Sequence, residues 1–222
     1  MGLQVVMISC RQRRETERPK TLASLRAVGI TPTVFESPCD PPHPRENRRV
    51  SLFALRCSRG RDTLFLEDDI DVDDTFPLWI EAARAQPHLV TFCVMRMWMQ
   101  PPHVSAAVRL GRPIPTGLFP IPRLDKWYGT QAIYLPAQFV DWAVEHPAFM
   151  AKSLHKGEVT WTGFDLFIRD HLRETNMKLL GAFPNPVQHR DPPKLVQRAK
   201  PPPERKSLTY GLPRAGDIPV GR

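Results

Sequence analysis

The 222-residue sequence contains no run of about 18 consecutive apolar residues, the length that a membrane-spanning helix requires. Its first residues, Met1 to Ser9, also lack the basic region and the small-residue cleavage site of a secretory signal. We therefore expect a cytoplasmic protein without a membrane span. The hydrophobic content of 41% is typical of globular chains, and the length allows one α/β domain with a sizeable core.

Cysteine is scarce and carries no recognisable pattern. The four cysteines, Cys10, Cys39, Cys57 and Cys93, are widely spaced and form no C-x-x-C pair. No histidines stand near them at the spacing of a zinc finger. We expect reduced thiols that lie mostly in the core.

Positive charge is abundant. Lysine and arginine outnumber aspartate and glutamate by 31 to 23, which gives a net charge of +8. Such a surface attracts anions, and nucleotide diphosphates, polynucleotides and acidic membranes all remain candidates. From Asp191 onward, prolines alternate with basic residues and no hydrophobic period is left, so the sequence predicts a folded domain over residues 1–190 and a basic, extended tail over residues 191–222.

The order of the predicted elements indicates an α/β fold. Short apolar runs, beginning with Leu3 to Ile8, alternate with helical patterns such as Thr16 to Val28. This alternation predicts a three-layer α/β/α sandwich around a mainly parallel sheet. Residues 98 to 128 are rich in proline, glycine and arginine, and we expect a long, mobile loop there.

The most informative segment is a run of acidic residues directly after a strand. The apolar residues Thr63 to Leu66 predict a buried strand, and four of the next five residues, Glu67 to Asp71, are acidic. Carboxylates crowded at a strand end repel one another unless a cation lies between them. One alternative is a solvated acidic turn that caps the helix starting near Thr75. The concentration of acids at this single place favours a metal site.

Four segments of the sequence resemble the GT-A glycosyltransferases and, within them, the lipooligosaccharide-type enzymes of family 25. The segments are Val5 to Ser9 with Arg11 and Arg14 after it, Leu66 to Ile70, Gly129 to Pro136, and Asn185 to His189. Together they span residues 3 to 190. The resemblance implies a GT-A fold, a nucleotide-sugar donor and a divalent metal, Mn²⁺ or Mg²⁺. Among the nucleotide sugars, a UDP-sugar is the first expectation.

The resemblance also implies a role for each acidic residue. Asp69 is expected to bind the metal, with Asp71 as a further ligand, while Glu67 and Asp68 face the ribose or the base. His189 resembles the late histidine that completes the metal site. Taken alone, its position favours a surface histidine beside Arg190 and Asp191; together with the acidic run, the two interpretations are equally good.

Further residues are expected to contact the donor and the acceptor. Ser9, Arg11 and Arg14 follow the first strand, where a guanidinium can bind phosphate, and a solvated basic turn is the alternative. Trp127, Tyr128 and Gln131 lie where acceptor and sugar contacts gather in the family, although Trp127 suits a core position as well. Asp165, at the start of a predicted helix, is the candidate general base; an ordinary first-turn acid is the alternative.

These residues predict a metal-dependent glycosyltransferase that moves a sugar to an acceptor hydroxyl, with inversion implied by the family. The basic tail suggests a polyanionic acceptor, such as a hydroxymethylated base of DNA exposed by flipping. A saccharide or a protein acceptor stays open. A hypothesis of another class is a nucleic-acid-binding protein without catalysis, which accounts for the charge but leaves the acidic run unexplained.

Overall fold

The structure, a computed structural model, describes residues 2–38, 43–155, 157–190, 207 and 209–219. Its strands are, in chain order, β1 (Gln4–Cys10), β2 (Thr33–Ser37), β3 (Thr63–Glu67), β4 (Ile70–Val72), β5 (Leu89–Thr91), β6 (Ile114–Pro115), β7 (Gly117–Pro120), β8 (Ala132–Leu135), β9 (Ser153–His155), β10 (Glu158–Thr160), β11 (Leu179–Phe183), β12 (Val187–His189) and β13 (Arg214–Ala215). Its α-helices are α1 (Glu17–Ala27), α2 (Pro44–Arg56), α3 (Phe76–Arg84), α4 (Pro102–Arg109), α5 (Ala137–Glu145) and α6 (Phe164–His171).

The central sheet of the described chain has seven strands in the order β2-β1-β3-β8-β5-β11-β7. Strand β1 is parallel to β2 and β3, and β5 is parallel to β11. Strand β8 runs antiparallel between β3 and β5, and β7 closes the sheet antiparallel to β11. Five of these seven strands therefore point the same way, and the sheet is mixed.

Helices cover both faces of this sheet because successive side chains of a strand point to opposite faces. Val6 and Phe65 pack on one face, and Met7 and Leu64 pack on the other. The first face is covered by α2, α5 and α6 through buried residues such as Leu55, Phe139 and Phe167. The second is covered by α1 and α3 through Leu25, Phe76 and Trp79. The α/β class with three layers is thus confirmed.

Residues 98 to 128 are not the long mobile loop that their composition predicts. They contain α4 and β7, and β7 pairs with β11 at the edge of the central sheet. Helix α4 buries Val104 and Ala107, and its prolines stand at the helix start, where a missing N–H costs nothing. Proline-rich composition therefore concealed a helix whose apolar positions lie three residues apart.

The predicted tail lies partly outside the described residues, which include none of residues 191–206. Where the chain is described again, it packs against the domain: Thr209 is fully buried and Ile218 nearly so. Strand β13 pairs in parallel with β6. The described end of the chain is thus docked on the domain and is not an extended tail. None of the described helices has the length and the apolar character to cross a membrane.

Candidate functional site

The acidic run lies at the edge of the sheet where the parallel strands have their carboxyl ends. From β1 the chain moves to β2 on one side, and β3 lies on the other side of β1. The carboxyl ends of β1 and β3 therefore lie side by side at the point where the strand order changes direction. Open α/β sheets bind their ligands at such switch points.

Asp68 joins the ends of β1 and β3. Its carboxylate accepts hydrogen bonds from the Ser9 hydroxyl at 2.6 Å, from the Cys10 backbone N–H at 3.2 Å and from the Arg13 guanidinium at 3.0 Å. Burial raises the pKa of Asp68 above its ordinary value, although Arg13 acts in the opposite direction. Ser9 and Asp68, both predicted to contact the donor, thus lie side by side.

Asp69 is almost completely buried, and its side-chain contacts within the described chain fall on one of its two carboxylate oxygens. The Oδ2 atom lies 3.0 Å from Nε2 of His189 and 2.5 Å from Nη1 of Arg13. Burial tends to raise the pKa of Asp69, but His189 and Arg13 outweigh it and the pKa is lowered. The Oδ1 atom is buried without a hydrogen-bond partner among the described residues. An ionised oxygen in that position is suited to a cation.

His189 reaches Asp69 through a short two-stranded ladder that the sequence did not predict. Strand β12 pairs antiparallel with β4, so that His189 stands opposite Ile70. The backbone N–H of Arg190 also donates to the carbonyl of Asp69 at 2.8 Å. His189 is only 3% exposed, so the interpretation as a surface histidine is wrong.

Glu67 completes a group of three possible metal ligands, which we call the strand-end cluster: Glu67, Asp69 and His189. One ligand atom from each lies within 4.8 Å of the others. The Thr130 hydroxyl donates to Glu67 at 2.8 Å. Burial and the charge of Asp69 raise the pKa of Glu67 to about 7. The cluster offers two carboxylates and an imidazole, and one of these carboxylates includes the unpartnered Oδ1 of Asp69. Such a set of ligand atoms fits a divalent cation.

Asp71, predicted as a further metal ligand, does not join this cluster. Its carboxylate pairs with the guanidinium of Arg190, which also binds Glu17 at 2.8 Å. Residues of a strand alternate in direction, and Asp71 lies within β4 at a partly exposed position. The structure therefore replaces Asp71 by Glu67 in the set of possible ligands.

Neither of the two arginines predicted to contact the donor approaches the acids of the cluster. Arg11 is exposed, and Arg14 forms an ion pair with Glu36 at 2.5 Å. Arg13 instead contacts Asp68 and Asp69 at once. The three residues Arg11 to Arg13 form a 3-10 helix, which turns Arg13 back over the sheet edge. This turn decides which arginine of the crowded segment lies against the acids.

The Ser9 hydroxyl is held by a second arginine that sequence reasoning missed. Nε of Arg18 donates to it at 2.7 Å, and Nη2 of the same residue binds Glu36 at 2.6 Å. The guanidiniums of Arg14 and Arg18 lower the pKa of Glu36 to about 2. Arg18 thereby links the carboxyl ends of β1 and β2, next to the switch point of the sheet.

The three residues predicted to bind the acceptor have different surroundings. Trp127 is fully buried in the core and offers no surface to a substrate, so its core interpretation is correct. Tyr128 is half-buried, and its hydroxyl accepts a hydrogen bond from Nε of Arg96 at 3.0 Å. Gln131 is buried beside the cluster, where its backbone carbonyl accepts a hydrogen bond from the backbone N–H of Glu67 at 2.9 Å.

Asp165 lies in the first turn of α6 and faces the segment that precedes β8. Its Oδ2 accepts from the N–H of Gly129 at 3.1 Å, and its Oδ1 accepts from the N–H of Leu166 at 2.9 Å. Gly129 has a φ of +114°, and a Cβ there would lie 2.3 Å from Oε1 of Gln131. The positive φ and the closeness of Gln131 therefore require glycine at this position. Asp165 is a first-turn acid, and the Gly129 that it binds precedes Thr130, the partner of Glu67.

A buried arginine that the sequence did not reveal fixes the segment before α6. The guanidinium of Arg48 donates to backbone carbonyls and to one hydroxyl, those of Ala148, Phe149, Ala151 and Thr162. Burial lowers the pKa of Arg48, and the charge of Asp165 opposes that effect. Arg48 thus supports the backbone that carries the candidate base.

A second group of possible ligands, here called the surface cluster, lies at the ends of α5 and α6: His146, His171 and Glu174. Glu174 contacts Nε2 of His146 at 2.9 Å and Nδ1 of His171 at 2.7 Å. Its side chain is 51% exposed. None of these residues was predicted to act in a site.

Comparison of the chain with models of known protein families and with curated protein sequences gives no match.

Proposed function

We propose that the chain is a metal-dependent glycosyltransferase of the GT-A kind, which moves a sugar from a nucleotide-sugar donor to an acceptor hydroxyl. The observation that supports it most is the strand-end cluster at the switch point of the sheet, with the Oδ1 atom of Asp69 buried and without a hydrogen-bond partner among the described residues. Leaving a buried acceptor unsatisfied costs roughly 1–3 kcal/mol, and more for a charged group. A bound cation would remove that cost.

Glu67, Asp69 and His189 would hold the cation, Mn²⁺ or Mg²⁺. The imidazole favours Mn²⁺, because Mg²⁺ prefers oxygen ligands alone. When bound, the metal would stabilise the negative charge of the departing nucleotide diphosphate.

Arg13 takes the role that was predicted for Arg11 or Arg14. Its guanidinium now neutralises Asp68 and Asp69. The planar fork of a guanidinium matches a phosphate as well as a carboxylate. In this proposal Arg13 turns from Asp69 to the diphosphate of the donor. Ser9 and Asp68 lie on the side of the site that faces the nucleoside.

Asp165 acts as the general base. It takes the proton of the acceptor hydroxyl as the acceptor oxygen forms a bond to the anomeric carbon, and the bond from that carbon to the diphosphate oxygen breaks. The N–H groups of Gly129 and Leu166 each occupy one lone pair of the carboxylate. Because each carboxylate oxygen has two, a free lone pair remains for the proton.

The second candidate function is a nucleic-acid-binding protein without catalysis, which the net charge of +8 favours. It does not account for Glu67, whose buried carboxyl has a pKa raised to about 7 beside Asp69. Strongly perturbed carboxyls in a crevice are typical of catalytic sites. The glycosyltransferase is therefore the better-supported function.

The direct test mixes the protein with Mn²⁺ and a panel of nucleotide sugars, UDP-sugars first, and measures the free nucleotide that is released. The measurement is made with water alone and with hydroxymethylated DNA, a saccharide mixture or a hydroxylated peptide. We expect release with at least one donor, enhanced by one acceptor and abolished by a chelator. Absence of release with every donor, together with absence of Mn²⁺ binding, would contradict the proposal.

A further inference from the structure

An exposed tryptophan lies at the same edge of the sheet as the strand-end cluster. Trp98, in the 3-10 helix Met97–Met99, is 53% exposed. The guanidinium of Arg96 stacks over its ring at 5.6 Å from the centroid. Arg96 also donates to the Tyr128 hydroxyl. We call Arg96, Trp98 and Tyr128 the indole platform.

The contacts of the indole platform connect it to the candidate base. Tyr128 directly precedes Gly129, and the N–H of Gly129 donates to Asp165. The chain that leaves the carboxyl end of β5 passes Met95, whose Cε atom lies 2.7 Å from the position of a Cβ on Gly129. The platform therefore adjoins Gly129, the residue whose N–H binds the candidate base.

Positive charge surrounds the exposed indole. Arg96 stacks on the Trp98 ring, and Nε of Arg109 lies 3.3 Å from Sδ of Met97, the neighbour of Trp98. Within the described part of the chain, neither guanidinium has a carboxylate as an ion-pair partner, although arginines such as Arg13, Arg14 and Arg190 do. Two uncompensated cations beside an exposed aromatic face suit a ligand that is flat and anionic.

We propose that the indole platform binds a single-stranded nucleic acid, with a base stacked on Trp98 and the adjoining phosphates near Arg96 and Arg109. This inference rests on the proposed function, for which it names the acceptor class. Proteins that bind single strands combine aromatic platforms with a basic surface, because every base offers a π-face. The net charge of +8 attracts the phosphates of such a strand, and stacking on the exposed Trp98 ring favours a base over an anion without an aromatic ring.

The test measures the binding of a labelled single-stranded DNA of about twelve nucleotides, within the usual range of site sizes. Wild type is compared with Trp98→Ala, Trp98→Phe and the control Phe53→Ala. Phe53 is a matched control because its ring is also exposed, at 60%, but it lies on α2 beside β2 and outside the indole platform. We expect Trp98→Ala to weaken binding about tenfold, Trp98→Phe to restore most of it and Phe53→Ala to have no effect.

Donor binding, measured with Mn²⁺ and UDP-sugars, separates this inference from the proposed function. If the DNA binds through Trp98 but no donor binds, the platform is upheld and the glycosyltransferase proposal fails. If a donor turns over while the DNA does not bind, or binds Trp98→Ala equally well, the platform inference is overturned and the proposed function stands. Tighter binding of a uronic-acid oligosaccharide than of DNA would also overturn it.

Discussion

Within the described residues, two groups of histidine and carboxylate side chains lie close enough together to hold a metal, and they differ in how their polar atoms are hydrogen-bonded. In the strand-end cluster, at the carboxyl ends of the parallel strands, Asp69 and His189 are buried and Glu67 is partly buried. The surface cluster lies at the ends of two helices, with Glu174 half exposed. Distance between ligand atoms alone does not separate them, since both meet the same 4.8 Å condition.

The hydrogen bonds of the surface cluster leave little capacity for a metal. The N–H of Ala148 donates to Nδ1 of His146 at 3.2 Å, so this nitrogen carries no proton. A neutral imidazole then has its proton on Nε2, which donates to Glu174. A metal on Nε2 would have to displace that proton. If the proton moved to Nδ1, the contact with Ala148 would break. In the strand-end cluster Nε2 of His189 likewise contacts a carboxylate, that of Asp69. The difference is that Asp69 keeps a second oxygen, Oδ1, without a hydrogen-bond partner in the described chain.

The largest expected effect is that of Asp69→Asn. The amide keeps the shape of the side chain but removes the charge that faces the cation, so we expect Mn²⁺ binding and donor turnover to fall below detection. Calorimetry with Mn²⁺, with and without a nucleoside diphosphate, measures the first loss. The matched control is Asp71→Asn, because Asp71 belongs to the same acidic run but pairs with Arg190. Equal losses in both variants would contradict the distinction between the two acids.

Asp165→Asn should affect turnover and leave donor affinity unchanged. A general base contributes about 10²–10⁴-fold, so single-turnover sugar transfer should slow by that factor. Gly163→Ala provides a second route, because a Cβ there would lie 2.4 Å from Oδ1 of Asp165 and displace the carboxylate. A fall in donor affinity with either variant would assign Asp165 to the donor site instead.

Arg13→Met should change two affinities in opposite directions. Removing the guanidinium takes away one of the two contacts of Oδ2 of Asp69 and a positive charge beside it, so Mn²⁺ alone should bind more tightly. The nucleoside diphosphate loses a charge-assisted partner worth roughly 1.5–3 kcal/mol, so its affinity should fall about tenfold or more. Calorimetric titrations with each ligand measure the two changes. Arg14→Met is the control, since Arg14 binds only Glu36 among the described residues.

Glu174→Gln should have the smallest effect. Mn²⁺ binding and turnover should stay at the wild-type level, because the surface cluster takes no part in either. His171 and His146 lower the pKa of Glu174, so its ionised form stabilises the fold above the ordinary carboxyl pKa of 4.5. That contribution is lost as the pH falls through the lowered pKa. Thermal unfolding should therefore show a small deficit of the variant at neutral pH that disappears in acid.

The arrangement of the fold and part of the site could be predicted from the sequence, because both depend on local patterns. The apolar runs around Val6 and Leu64 identified β1 and β3, and the acids after β3 identified the sheet edge. Asp68, Asp69 and His189 were all expected there. These features need only the identity of neighbouring residues and the rule that parallel strands end together.

The remaining features depend on turns and pairings that no local pattern records. Strand β4 has three residues and alternates little, yet its pairing with β12 decides that His189, and not Asp71, meets Asp69. The 3-10 turn after β1 selects Arg13 among several arginines. Trp127 follows the polar residues Asp125 and Lys126, but its side chain packs in the core.

The ladder between β4 and β12 has a consequence for biosynthesis. Asp69 and His189 are far apart in the chain, so the ribosome has to complete His189 before the second half of the cluster exists. Asp69 and its partner Arg13 are therefore synthesised long before His189 can meet them. In the proposed reaction, the same Arg13 would turn away from Asp69 towards the donor.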